Sequence, residues 1–203
     1  MTRSFTIALA LCLTISAMAQ SLPYKKHRAF VYKDEYYVSP SRYDYSAFTD
    51  TIVGDAVSSY EKARRIFLWI CGSITYDASQ TIRTADEAWD KRAAVCQGYC
   101  ELFYRMAETQ QIHTKLIYGT AISPYTGENV GFHVWAEVDT NKGDILIDPT
   151  WGAGRSLHGW FMKNKNPDKW FDMPAESFNI THIPKVKPQS KGKRLLQRLK
   201  DLF

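Results

Sequence analysis

Three side chains in this 203-residue chain could together perform nucleophilic acyl chemistry: Cys96, His133 and Asp148, in that order. A thiol attacks a carbonyl as its thiolate, so it needs surroundings that favour the anion and a base to take its proton. Cys96 falls at the expected start of a helix, where free backbone amides and the positive end of the dipole favour a thiolate. His133 is the base candidate among five histidines, and Asp148 could orient its ring as the third member of a triad. Singly, each has a plainer explanation: a structural cysteine, a satisfied strand histidine, a turn-forming Asp before Pro149. Together they form a coherent set of nucleophile, base and orienter. Cys71, amid apolar neighbours in mid-helix, reads as a small core residue, and Cys100 shares the inward face of the Cys96 helix.

Two helices and a sheet must position these groups. Ser58 and Glu61 form a capping box, and Ala63, Ile66, Phe67, Ile70 and Ile74 recur at helical spacing, which predicts a helix over 59–73. Residues 75–94 read as a loop with a short helix near 86–90. A second helix is expected from Cys96 to about Thr109, with Tyr99, Leu102, Phe103, Met106 and Ala107 on one face. Strand signals follow at 115–121, at GFHVWAEV and at DILID. Helices followed by an antiparallel sheet make the fold class α+β.

If the last two strands join through a four-residue loop, Asp139 to Lys142, then Val138 faces Gly143, Ala136 faces Ile145 and His133 lies directly opposite Asp148. Opposed Cβ atoms are roughly 4.5 to 5.5 Å apart, within reach of a hydrogen bond between the two side chains. A one-residue slip would send them to opposite faces.

Composition bounds the rest. With 45% hydrophobic residues and 14% aromatic ones the chain has material for one core, and global disorder is excluded. The formal charge of +5 is a property of the ends: residues 185–203 carry +6, whereas 20–184 hold 18 basic and 20 acidic side chains. The body is therefore not a nucleic-acid binder. Residues 1–19 have the basic start, short apolar run and Ala17-Met18-Ala19 ending of a secretory signal, so an exported protein (periplasmic, cell-envelope or secreted) is expected. Its removal leaves three cysteines, an odd number that makes a poor disulfide framework. Residues 20–50 are polar and Tyr-rich and read as an extended arm before a domain spanning 51–184. The basic tail, 185–203, could lay Leu195, Leu196, Leu199, Leu202 and Phe203 on an anionic membrane surface through residues 191–203, although a solvated tail is the simpler reading. No internal repeat, P-loop, dinucleotide-binding glycine pattern or calcium loop is present, and neither cofactor nor metal is expected.

AVCQGYCELF resembles the nucleophile motif of the transglutaminase-like superfamily, HVWAEV its histidine motif and LIDPTWGAG its aspartate motif, in the same chain order. FLWICGSITYD resembles the segment before the cysteine helix, and WFDMPAESFNITHIP the region after the aspartate in the kyphoscoliosis-peptidase-like branch. The resemblance covers roughly 50–184. Ala94 stands where glycine is frequent and Cys100 where alanine is frequent, and neither change removes a catalytic group.

The resemblance implies a papain-like, transglutaminase-like core with the cysteine helix packed on the sheet that bears His133 and Asp148. It further implies acyl transfer through a thioester on a protein or peptide substrate. A peptidase or amidase is expected, with a crosslinking transglutaminase or an inactive peptide-binding scaffold as alternatives. The oxyanion would be held by the Cys96 amide and by a side chain such as Trp69 or Gln97, and Trp135 and Trp151 could wall the cleft.

Overall fold

The computed structural model describes residues 38–157 and 160–185. The expected signal at 1–19, most of the arm, the tail from 186 onward and its amphipathic segment lie outside the described residues.

The first element is a helix, α1 (Ser46–Val53), where the sequence reading extends its arm to residue 50. That boundary is corrected: Phe48, Thr49 and Val53 are buried, and Phe48 packs edge-on against Trp69 and Trp89 at 4.9 and 4.7 Å. Eight residues with four β-branched members give too little helical periodicity to read. Helix α2 (Ser59–Ser73) has the expected bounds, with Ser58 accepting from the Glu61 amide. After β1 (Thr75–Tyr76) comes α3 (Ala85–Lys91), opened by a reciprocal capping box between Thr84 and Glu87. β2 (Ala93–Ala94) pairs with β1 in parallel and leads directly into α4 (Cys96–Thr109), which also has its expected bounds.

The main sheet follows: β3 (Thr114–Ile122), β4 (Asn129–Thr140) and β5 (Gly143–Ile147), all antiparallel. A five-residue helix, α5 (Pro149–Ala153), leaves β5 and runs into the two-stranded ladder of β6 (Gly154–Leu157) and β7 (Trp160–Lys163). A 3-10 turn (Pro167–Trp170), α6 (Ala175–Thr181) and β8 (His182–Pro184) complete the described chain, with sheet order β5-β4-β3-β8. The fold is α+β, as expected. Among the described residues no helix is long and apolar enough to cross a membrane.

The hairpin register differs from the expectation. Val138 faces Ile145 and Ala136 faces Ile147, because the loop is the two-residue Asn141-Lys142 rather than four residues. Three interactions enforce the short loop. Gly143 adopts φ +101°, Thr140 Oγ1 donates to the Gly143 carbonyl at 2.8 Å, and Asn141 Oδ1 accepts the Tyr60 amide in the first turn of α2. The ladder therefore ends before Asp148, which does not stand directly opposite His133. The slip is by two residues, which keeps every side chain on its face, so both groups still lie on the same side of the sheet.

The core lies between α4 and its neighbours α2, β3 and β4, with Phe67, Ile70, Tyr99, Leu102, Phe103, Met106, Val134 and Ala136 fully buried. The two deepest thiols act as stitches: Cys100 Sγ donates to the Val134 carbonyl at 3.3 Å, and Cys71 Sγ to the Pro149 carbonyl at 3.5 Å. Gly152 lets α5 press onto α2, since a Cβ there would stand 2.5 Å from Phe67 Cζ and 2.7 Å from Cys71 Sγ. Gly152→Ala is expected to lower stability by about 1–3 kcal/mol through this overlap, read as an earlier thermal transition. An unchanged transition would mean that α5 is loosely seated.

Candidate active site

Cys96 is the first residue of α4, and the extended Val95 before it donates its amide to the Ile82 carbonyl at 2.9 Å. That bond presses the start of the helix against the 77–83 loop. Gly98 is required there, since a Cβ would approach Ala94 Cβ to 2.9 Å and the Ile82 carbonyl to 3.2 Å. Asp77 organises the loop, its carboxylate accepting from the Ser79 hydroxyl and from the amides of Ser79, Thr81 and Ile82. These bonds, the Ser79 hydroxyl foremost, hold the Asp77 carboxyl well below the usual carboxylate range.

Asp148 caps α5. Its Oδ1 accepts the amides of Thr150 and Trp151 at 2.9 and 3.1 Å, and Pro149 occupies the first helical position, where no amide is missed. Its Oδ2 lies 2.8 Å from His133 Nε2. Burial would push the Asp148 carboxyl up, but the charge and hydrogen bond of His133, followed by those of His182, hold it well below its ordinary range. His133 is the mirror case. Burial would lower it, yet the Asp148 charge and hydrogen bond, and after them the nearby Cys96 side chain, raise it from 6.5 to about 10. A buried, hydrogen-bonded imidazole and carboxylate that share a cavity with the cysteine are an arrangement that can move a proton to or from sulfur.

Cys96 and His133 open onto a cavity of about 300 Å³ whose lining includes Tyr76, Tyr125, Phe132, Trp151, Phe161 and Arg155. The structure thus brings Cys96, His133 and Asp148 together and puts Trp151 in the cleft wall, with its ring 5.2 Å from that of His133. Three other candidates stand elsewhere. Trp135 is buried among Phe178, His182 and His133 instead of lining the cavity, because β4 is covered on both faces at this point. Trp69, an oxyanion-donor candidate, does not line the cavity: its position on α2 turns it into an aromatic cluster with Phe48 and Trp89, under the Arg92 guanidinium. The Gln97 amide is committed to Glu101 Oε1 at 2.9 Å, one turn along α4, and does not line the cavity.

Two residues that sequence reasoning missed belong to the site. Tyr76 shares the cavity with Cys96, and its hydroxyl is pushed up by burial and then by the Cys96 charge. It arrives through the two-residue parallel pairing of Tyr76 with Ala94, a contact that leaves no periodic signal. His182 touches Asp148 from β8, 34 residues along the chain. Among the described residues, His133, Asp148 and His182 also form the group of potential metal ligands, their ligand atoms lying within 4.8 Å of one another. The 2.8 and 3.1 Å separations are those of direct nitrogen to oxygen hydrogen bonds, which account for the cluster without an ion.

Comparison with known proteins gives the following. Residues 46–151 match the family model described as Transglutaminase-like superfamily. The chain is 30% identical over 114 residues to kyphoscoliosis peptidase of Mus musculus and 29% identical over 114 residues to that of Homo sapiens. In each case the match takes in 51% of this chain and 17% of the relative, so the chain spans about a sixth of the length of these relatives. A crystal structure described as a TGase superposes with a TM-score of 0.43 at 16% identity, covering 62% of this chain and 34% of the other.

Proposed function

The chain belongs to the transglutaminase-like superfamily, and from that premise we propose that it is a cysteine-dependent acyl-transfer enzyme acting on peptide or carboxamide bonds of proteins. The observation that carries the reading is the grouping of Cys96, His133 and Asp148, in which Cys96 and His133 line one cavity and the His133 Nε2 is 2.8 Å from a buried carboxylate.

In the reaction, the Cys96 sulfur attacks the substrate carbonyl carbon, and its proton resides on His133. The oxyanion is met by the backbone amide of Cys96, with the Tyr76 hydroxyl as a nearby donor in the same cavity. Collapse of the tetrahedral intermediate breaks the C–N bond, and His133 gives its proton to the departing amine. A thioester remains on Cys96. Water, deprotonated by His133, then attacks it and releases the acid. The aromatic lining of the cavity suits an apolar side chain next to the scissile carbonyl. Water is preferred to an amine as acceptor because the two curated relatives are named peptidases. The protein acts outside the cytoplasm on this reading, which rests on residues 1–19 and is checked by the N-terminal sequence of the mature protein.

The first test needs no natural substrate. Iodoacetamide is expected to alkylate Cys96 in the folded protein while Cys71 and Cys100 stay unlabelled, since burial first and the Asp148 charge second push both of those thiols up. Peptide mapping reads the result, and equal labelling of all three, or none at Cys96, would favour an inactive scaffold. Acylation by p-nitrophenyl acetate, followed by breakdown with and without a primary amine, then separates the acceptors. Release of acid in the presence of amine supports the peptidase, and amide formation supports crosslinking.

A further inference from the structure

Asp148 has a second imidazole partner for which the reaction so far has no use. His182 Nε2 lies 3.1 Å from Asp148 Oδ2, the same oxygen that His133 approaches. His182 and Asp148 are both 0% exposed. An ionised carboxylate only accepts hydrogen bonds, so His182 must donate from Nε2. Its Nδ1 lies 2.9 Å from Thr181 Oγ1 and 3.3 Å from the Phe178 carbonyl, which sets the ring edge-on to the carboxylate. Phe178 stacks on the ring at 3.8 Å, and Trp135, Trp151 and Trp170 surround it. The strand that delivers His182 can approach because Gly119 of β3 lacks a Cβ, which would strike the Ile183 carbonyl and the Trp135 ring.

With Oδ1 on two backbone amides and Oδ2 on two imidazoles, Asp148 accepts four hydrogen bonds and has no freedom to turn. We propose that His182 is a positioning residue of this site, donating from Nε2 to Asp148 Oδ2 and so holding the carboxylate that orients His133. The proposal rests on the acyl-transfer reading above. It also assigns a chemical effect: a carboxylate shared between two N–H donors pulls less on each, so His133 is less basic than it would be with Asp148 to itself. That makes His133 a better acid toward the departing amine. Among the described residues, Asp148 and His133 are the ionisable groups that face the His182 ring; its other neighbours are the Thr181 hydroxyl, the Phe178 carbonyl and aromatic rings.

The test uses the full chain with His182→Phe and His182→Gln. His182→Phe keeps the stacking and removes the donor, and it is expected to slow acylation by p-nitrophenyl acetate about tenfold or more. The alkaline limb of its rate profile should move to higher pH. His182→Gln offers a side-chain N–H to the same oxygen and should recover most of the rate and the wild-type profile. A folded His182→Phe with the wild-type rate and profile overturns the proposal, as do equal losses in both variants with unmoved profiles, the mark of mere packing. Should His182→Phe fail to fold, nitrogen-15 spectra of the wild type decide: an exchange-protected Nε2 proton on His182 that shifts in Asp148→Asn supports the proposal, and its absence overturns it. Wild-type Cys96 inert to the ester is a different result, which removes the enzymatic reading and this one with it.

Discussion

Asp148→Asn is expected to leave the fold in place and to slow acylation of Cys96 by about three to four orders of magnitude. The structure forces the direction in which the new amide points. Two backbone N–H groups, from Thr150 and Trp151, converge on Oδ1, so the carboxamide oxygen must take that position. Its NH2 is then aimed at His133 Nε2, which must become an acceptor, and the ring proton moves to the other nitrogen. A ring in that tautomer cannot take a proton from the sulfur through the nitrogen that should receive it. The substitution is a sharp test because Asn is as good a helix cap as Asp. If Asp148 only capped α5, the variant would be nearly silent. Stopped-flow acylation with p-nitrophenyl acetate measures the rate, and wild-type activity in Asp148→Asn would remove Asp148 from the mechanism.

His133→Ala is expected to abolish turnover and also to change how stability depends on pH. The His133 pKa is raised from 6.5 to about 10 in the folded protein, so its contribution to stability is fully present below about 6.5 and is lost as pH rises through about 10. The Asp148 carboxyl is depressed, so its contribution is present above about 4, the usual carboxylate range, and is lost as pH falls below that. Wild-type melting temperature should therefore decline across pH 6.5 to 10. The difference between wild type and His133→Ala should shrink over that window. A constant difference would mean that the ring is not held as an imidazolium. The double variant His133→Ala, Asp148→Asn should be little slower than His133→Ala alone, because an orienter has nothing to act on once the imidazole is gone.

The long amphipathic helices were legible because their periodicity and caps are local. Ser58 and Glu61 announce α2, and the apolar spacing from Tyr99 to Ala107 announces α4, with Cys96 at its first position. Helix α1 was not legible, since its stability comes from Phe48 lodging between Trp69 and Trp89. The direction in which Trp69 packs is not legible for the same reason. A tryptophan on a helix could face cavity or cluster, and only the packing of α1 and α3 against α2 decides.

By itself, the amino-acid sequence determined the order of the two long helices and the three long strands, the α+β class, the place of Cys96 at a helix start, and the parity that keeps His133 and Asp148 on one face. Each of these depends on residue spacing of a few positions, and a period-two strand preserves parity even when the loop is misjudged by two. Tertiary structure alone decided how the dyad is made. Asn141 docking on the first turn of α2 shortens the hairpin loop, Asp148 then leaves the sheet to cap α5, and its carboxylate rather than its strand position reaches His133. It also decided that Tyr76 shares the cavity and that His182 shares the carboxylate, because both arrive through strands of two and three residues. Such strands form only where a larger fold has already placed their partners, so no local pattern in the chain records them.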